Sequence, residues 1–106
     1  MLSSSEEVEI MALRPGRRVW VPCEVKRGAF SNERMVRIVG PLGEWLGFVP
    51  EVLLEDQIEQ GETAVQGIVD AVSEDRVSLF MPGDSVMGGV FVQDLARVRP
   101  FGSVEA

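Results

Sequence analysis

Histidine and tyrosine are absent from this chain of 106 residues, and cysteine occurs once. Without histidine the chain lacks the usual general base near neutral pH, and no Ser-His or Cys-His pair can form. A single cysteine excludes an intrachain disulfide and the paired ligand spacings of zinc sites. Glycine-rich phosphate loops of the Walker or dinucleotide type are also missing. These absences predict a protein that is not an enzyme and that holds no metal or cofactor.

Long apolar runs are lacking as well. No run approaches the roughly 20 residues that a membrane-spanning helix needs, and residues 1–7 carry acid where a signal peptide carries base. The chain is therefore expected to be cytoplasmic and to have no membrane partner. Its hydrophobic fraction of 45% is ordinary for one folded domain of this length.

The charge is acidic overall but unevenly distributed. A net charge of −7 disfavours non-specific binding to nucleic acid. Between residues 10 and 43, however, seven basic residues stand against two acidic ones, a local balance of +5. The basic residues are Arg14, Arg17, Arg18, Lys26, Arg27, Arg34 and Arg37. This stretch could form a basic face or a solvated strand face, and the sequence leaves both open.

Strand patterns dominate the rest of the sequence. Apolar residues at positions 19, 21, 23 and 25 alternate with others, which is the period of a half-buried strand. Cys23 is expected to be a buried, inert thiol in that strand. Further strands are predicted over residues 34–39, 45–49, 63–72, 76–81 and 90–92. Between the third and fourth strands, Pro50 suits the first position of a helix and Gly61 its C-terminal cap.

These patterns predict an all-β fold: a small closed OB-like barrel of five or six strands, with one short helix between strands three and four. An SH3-like barrel is the alternative, because Glu44-Trp45 followed by Gly47-Phe48-Val49-Pro50 looks like the end of an SH3 domain. Residues 1–16 are predicted to be a leader, partly disordered or a short helix. Residues 17–82 are the predicted barrel, and 83–106 a C-terminal extension with one strand and a tail. The predicted core is led by Val19, Val21, Val25, Val36, Ile38, Phe48, Val65, Val69, Val77 and Leu79.

The second half of the predicted barrel resembles an S1-type RNA-binding domain. The similarity rests on Gly47-Phe48-Val49-Pro50-Glu51-Val52-Leu53-Leu54, Gly61-Glu62-Thr63, Gly67-Ile68-Val69-Asp70-Ala71-Val72 and Asp75-Arg76-Val77-Ser78-Leu79-Phe80-Met81, and extends over about residues 17–82. It implies an OB barrel that binds single-stranded RNA through aromatic residues of strands two and three and a basic residue of strand five. By position, Arg76 matches that basic residue and Phe48 falls in the strand-three segment. Met35 stands at the family's aromatic position and Ser73 at that of its usual acid.

Two kinds of side chain are the candidate nucleic-acid contacts. The basic residues expected to meet phosphates are Lys26, Arg27, Arg34, Arg37 and Arg76. The aromatic residues considered for stacking on bases are Trp20, Trp45 and Phe48. Trp20 and Trp45 are expected to be exposed, whereas a core position is favoured for Phe48 and Phe80. The leading functional expectation is a non-catalytic module that contacts single-stranded RNA or DNA.

A protein-interaction or oligomerisation module, acting as a subunit or regulator of a larger assembly, is the alternative. The acidic C-terminal half and the extra strand near residues 90–98 favour it, because an exposed strand edge can pair with another chain or a second copy. In that interpretation the arginines pair with Glu24, Glu33 or the acidic second half of the chain.

Overall fold

The computed structural model describes residues 13–85 and 89–101, which contain eight strands and two single 3₁₀ turns. In chain order the strands are β1 (Arg18–Arg27), β2 (Glu33–Gly40), β3 (Gly43–Pro50), β4 (Gly61–Ser73), β5 (Arg76–Phe80), β6 (Asp84–Ser85), β7 (Val90–Asp94) and β8 (Arg99–Pro100). The 3₁₀ turns are Glu51–Leu53 and Leu95–Arg97. The helix considered for the leader, and the tail after residue 101, lie outside the described residues.

All strand pairings are antiparallel, in the order β6-β3-β2-β1-β4-β5-β7. The two-residue β8 pairs with the first part of β1, while β2 pairs with its last part. Six strands wrap into a nearly closed barrel, so the predicted all-β barrel is confirmed. Its strand order is compatible with an OB-like barrel.

The barrel closes at a seam where β7 meets β2. The Gln93 side chain is buried there and donates from Nε2 to the Val39 carbonyl oxygen at 3.1 Å. A Cβ on Gly40 would lie only 2.5 Å from the Val92 carbonyl oxygen and 2.7 Å from the Phe91 ring. The absence of a side chain at residue 40 therefore permits the close approach of the two strands.

The core follows the predicted alternation except at β3. Nine of the ten predicted core residues are buried, but Phe48 is 37% exposed on the outer surface. Trp45, expected at the surface, is 2% exposed and packs in the core with Val49. These two residues share one side of β3 and Phe48 lies on the other, so assigning Phe48 to the core reverses the whole strand. Phe80 is likewise 49% exposed, because its neighbour Leu79 points inward.

The helix between β3 and β4 is shorter than predicted. It is the single 3₁₀ turn Glu51–Leu53, and it ends at Leu54 rather than at Gly61. Leu54 is 3% exposed and forms an isolated bridge with Val65 of β4. Pairing with β4 thus replaces the second helical turn, because it buries Leu54 and satisfies backbone groups that a helix would have used.

The segment after residue 82 contributes to the sheet at both ends. β7 pairs with β5 along its whole length, and β6 pairs with β3 opposite Gly47 and Phe48. The short strands β6 and β8 were not predicted. Gly83 has a φ of +79°, and a Cβ there would overlap the Phe48 carbonyl oxygen, so the turn into β6 requires glycine. Within the described residues, no helix is both long and apolar enough to cross a membrane.

Candidate binding surfaces

The outer surface of β1, β2 and β3 carries most of the predicted contact residues, and we call it the β1–β3 face. Lys26 lies opposite Met35, and Met35 lies opposite Phe48. Residues directly opposite one another project from the same side of a sheet. A cation, a thioether and an exposed aromatic ring therefore form one row across three strands. Arg37 follows Met35 by two residues on the same side of β2.

Two of the candidate arginines are engaged by carboxylates: Arg37 lies on the β1–β3 face, whereas Arg27 lies opposite Arg34 and therefore stands at the edge of this face, at the end of the barrel. Arg37 Nε donates to Glu44 Oε2 at 2.8 Å, and its Nη1 lies 3.9 Å from Glu24 Oε1. Arg27 Nη2 donates to Glu59 Oε2 at 2.6 Å. Lys26 is exposed and makes no ion pair with the residues that the structure describes. The charges of Arg27 and Arg37 are thus compensated within the molecule, whereas the charge of Lys26 is not compensated by the described residues.

Arg34 points into the end of the barrel and does not belong to this face. It is 4% exposed, and its Nη2 donates to Glu51 Oε2 at 3.0 Å. Its other nitrogens donate to the carbonyl oxygens of Ile58 at 2.8 Å, Ser31 at 2.8 Å and Glu33 at 2.9 Å. The guanidinium therefore ties together the β1–β2 turn and the β3–β4 connection, and no phosphate can reach it without unfolding that region.

Trp45 and Arg76 also lie away from the β1–β3 face. Trp45 is buried, so it offers no ring face to a base. Arg76 is exposed, but it lines a depression with Leu42 and Val92. This depression lies near the C-terminal end of β2, whereas Lys26 pairs near the start of that strand. The structure therefore brings Lys26, Arg37 and Phe48 together, places Arg27 at the edge of their face, and leaves Arg34, Trp45 and Arg76 apart from them.

A second outer surface, missed in the sequence analysis, covers β4, β5 and β7. Ile68 lies opposite Phe80, and Phe80 lies opposite Val90. Their exposed fractions are 43%, 49% and 43%. We call these three residues the apolar face. The alternation of β5 was the signal that could have revealed it, because Val77 and Leu79 in the core place Phe80 outside.

Three arginines lie at or just before the start of β1, which is the end of that strand next to the apolar face, and we call Arg14, Arg17 and Arg18 the arginine border. Arg18 lies opposite Ile68 on β1. All three are exposed and form no ion pair with any residue in 13–85 or 89–101. The arginine border thus holds three of the six exposed cations that form no ion pair with the described residues, whereas the β1–β3 face holds one, Lys26.

An aromatic pair extends this region beyond β1. Trp20 and Phe101 have ring centroids 4.9 Å apart, and the Arg18 guanidinium carbon lies 6.0 Å from the Phe101 centroid. That separation is at the limit of a cation–π contact. Trp20 is half-buried rather than fully exposed, because Phe101 covers part of its ring.

The interior holds one nucleophilic group, the Cys23 thiol. It is buried, and burial raises its pKa from 9.0 to about 12 because the thiolate would lose its hydration. Cys23 therefore stays protonated at neutral pH, which agrees with the predicted inert thiol. In the part of the chain that the structure describes, no group of three or more metal-ligating side chains could hold a metal ion.

The comparisons with known proteins add no relative to these observations. No protein-family model matches the chain, and neither a curated protein nor a solved structure matches it.

Proposed function

We propose that this protein is a non-catalytic binding module that contacts single-stranded RNA or DNA through its β1–β3 face. The observation that carries the proposal is the row formed by Lys26, Met35 and Phe48. An exposed aromatic ring next to a cation is the usual element of sequence-tolerant single-strand binding. OB-like barrels bind oligonucleotides on the corresponding outer face of strands two and three.

The ion pairs of Arg27 and Arg37 do not prevent phosphate binding. Arg27 and Glu59 have exposed side chains, and Arg37 and Glu44 are exposed by 50% and 37%. Exposed pairs of this kind contribute about 0–1 kcal/mol, so a phosphate can replace a carboxylate at small cost. The acidic total charge nevertheless opposes binding. We therefore expect weak affinity that falls steeply with salt concentration.

Fluorescence anisotropy with labelled 15-nucleotide oligo-dT and oligo-U tests the proposal at 20 and 150 mM salt. Phe48→Ser removes the stacking ring and is expected to weaken binding roughly tenfold, since base–aromatic stacking contributes about 1–3 kcal/mol. Lys26→Glu with Arg27→Glu is expected to abolish binding at 150 mM salt and to flatten the salt dependence.

The matched control is Arg14→Glu with Arg17→Glu, which changes the net charge equally but lies outside the β1–β3 face. It is expected to lower the affinity much less than the Lys26 and Arg27 reversal does. No binding at 20 mM salt, where phosphate contacts are strongest, would overturn the proposal. Equal losses in both charge-reversal variants would show a diffuse electrostatic effect and would also count against it.

A further inference from the structure

The apolar face forms one continuous row on neighbouring strands. Because Ile68, Phe80 and Val90 lie directly opposite one another, their side chains leave the same side of the sheet. With strand spacings of about 4.8 Å, the row spans roughly 10 Å before its side chains are counted. The Trp20–Phe101 pair continues the apolar surface on the other side of Arg18. Contiguous exposed apolar surface of this kind marks a site of interaction.

The arginine border adds positive charge beside the apolar face. Gly16 N donates to the Val69 carbonyl oxygen at 2.8 Å, and Val69 N donates to the Arg17 carbonyl oxygen at 2.9 Å. These two bonds hold the border against β4, directly beside Ile68. Among residues 13–85 and 89–101 no carboxylate pairs with Arg14 or Arg17, so none of these residues competes with a ligand carboxylate for them.

The chemistry of the apolar face favours a polypeptide over a nucleic acid. Of its three residues only Phe80 has a ring on which a base could stack, and Trp20 and Phe101 already cover each other in part. Aliphatic side chains of a partner, in contrast, gain about 25 cal/mol for each Å² of apolar surface buried. A second copy of this chain is disfavoured, because two molecules that each carry a net charge of −7 repel each other.

We propose that the apolar face and the arginine border together dock a segment of a partner protein in which glutamate or aspartate alternates with aliphatic residues. The aliphatic side chains pack on Ile68, Phe80 and Val90, and the carboxylates pair with the arginine border. This surface is separate from the β1–β3 face, so peptide docking can be tested independently of nucleic-acid binding.

Amide chemical shifts of the ¹⁵N-labelled full chain test this inference. The probe is a ten-residue peptide of alternating glutamate and valine, added up to millimolar concentration. A lysine–valine peptide and 15-nucleotide oligo-dT are added to separate samples. The glutamate peptide is expected to shift resonances of the apolar face and of residues 14–18, whereas the lysine peptide leaves them unchanged.

Two variants locate the site. Phe80→Ser and Arg14→Glu with Arg17→Glu are each expected to weaken binding of the glutamate peptide about tenfold, the equivalent of about 1.4 kcal/mol. The control Lys26→Glu with Arg27→Glu changes the net charge equally and is expected to bind with nearly unchanged affinity. Each spectrum also reports whether the variant is folded.

The inference is overturned if the glutamate peptide causes no shifts on this face at millimolar concentration, or if the lysine peptide causes the same shifts. It is also overturned if oligo-dT, and not the glutamate peptide, shifts the face, since the ligand is then a nucleic acid. Concentration-dependent shifts of the same residues without any peptide would assign the surface to self-association and exclude the proposed partner.

Discussion

The arginines at the two outer surfaces of this barrel differ in their ion pairing. Arg37 on the β1–β3 face and Arg27 at its edge each form an ion pair with a glutamate, whereas the arginine border beside the apolar face forms none with the described residues. The sequence places all of these arginines in one basic stretch. The net charge of a sequence segment therefore does not show which of its arginines are unpaired. Pairing depends on which residues the strand register places opposite each arginine.

The strand register explains the difference. Glu24 lies directly opposite Arg37 on the neighbouring strand, and Glu44 lies close by on β3. The cross-strand partner of Arg18 is instead Ile68, which is followed by Phe80. Opposite charges in facing positions stabilise a sheet by a few tenths of a kcal/mol to about 1 kcal/mol. The β1–β3 face has these pairs, whereas the arginine border beside the apolar face has none with the described residues.

The largest expected effect concerns Arg34, which belongs to neither surface. Arg34→Met removes the guanidinium donors from the Glu51 carboxylate and from the carbonyl oxygens of Ser31 and Ile58, whereas the Glu33 carbonyl oxygen still accepts from Gly28 N. Breaking a buried pair costs about 3–5 kcal/mol, which corresponds to a fall in melting temperature of roughly 15–30 °C. Thermal unfolding followed by circular dichroism measures it.

The matched control for Arg34 is Arg37→Met on the same strand. Its ion pairs are exposed, so we expect it to cost less than about 1 kcal/mol. Equal effects of the two substitutions would mean that the Arg34 guanidinium is solvated. The β1–β3 face would then contain a further cation, and the contrast between the two surfaces would weaken.

The second prediction concerns the seam that joins the two surfaces. Gly40→Ala places a methyl group against the Val92 backbone and the Phe91 ring. Because backbone must move to relieve the overlap, we expect a loss of about 2–3 kcal/mol and a fall in melting temperature of roughly 10–20 °C. Leu42→Ala, in the adjacent turn and 68% exposed, is the control and should change the melting temperature little. A tolerated alanine at residue 40 would show that β7 is not seated against β2.

The third prediction compares the two charge reversals directly. Lys26→Glu with Arg27→Glu turns the Arg27–Glu59 attraction into a repulsion, whereas Arg14→Glu with Arg17→Glu breaks no described ion pair. The first variant is expected to be less stable than the second by about 1 kcal/mol at 20 mM salt, or roughly 5 °C in melting temperature. At 500 mM salt the difference should nearly disappear. Equal stabilities at low salt would contradict the assignment of paired and unpaired arginines.

The strand pattern was sufficient to predict the barrel, because alternation in β1, β2, β4 and β5 reports directly which residues face the core. It failed in β3, where two large aromatic residues of opposite parity, Trp45 and Phe48, both fit a core position. Only the cross-strand neighbours decide between them. The helix before β4 was overextended for a related reason, since the bridge between Leu54 and Val65 is not local in sequence.

The predicted binding residues also divide into those that local strand alternation can place and those that depend on distant contacts. Lys26 and Phe48 can be placed on one surface once the parity of their strands is known. The burial of Arg34 could not be foreseen, because three of its partners are backbone carbonyl oxygens. The apolar face escaped notice for lack of any charged or glycine-rich motif, and because its three residues come from strands far apart in the sequence.

The smallest expected effect concerns the exposed ion pair of Arg99 and Glu55. It indicates how much an exposed ion pair of this molecule contributes to stability. Arg99 donates from Nη1 and Nη2 to both carboxylate oxygens of Glu55, at 3.1 and 2.6 Å. The hydrogen bond from Arg99 lowers the pKa of Glu55 below its usual value of 4.5. A carboxyl group whose pKa is lowered by folding contributes stability above its unfolded pKa, and this contribution is lost as the pH falls through the folded value.

Glu55→Gln is therefore expected to lower the melting temperature by about 2–4 °C at pH 7, and this difference should shrink as the pH falls below 4.5. Melts between pH 7 and pH 2.5 measure it, with Glu62→Gln as the control because Glu62 is exposed and forms no ion pair with the described residues. A difference that persists unchanged at pH 2.5 would assign the effect to packing instead of charge. If even this pair, in which both carboxylate oxygens accept, contributes so little, the pairs of Arg27 and Arg37 are weak enough for phosphates to replace them. A much larger effect would mean that those arginines are held in place, and would leave Lys26 as the one available cation of the three.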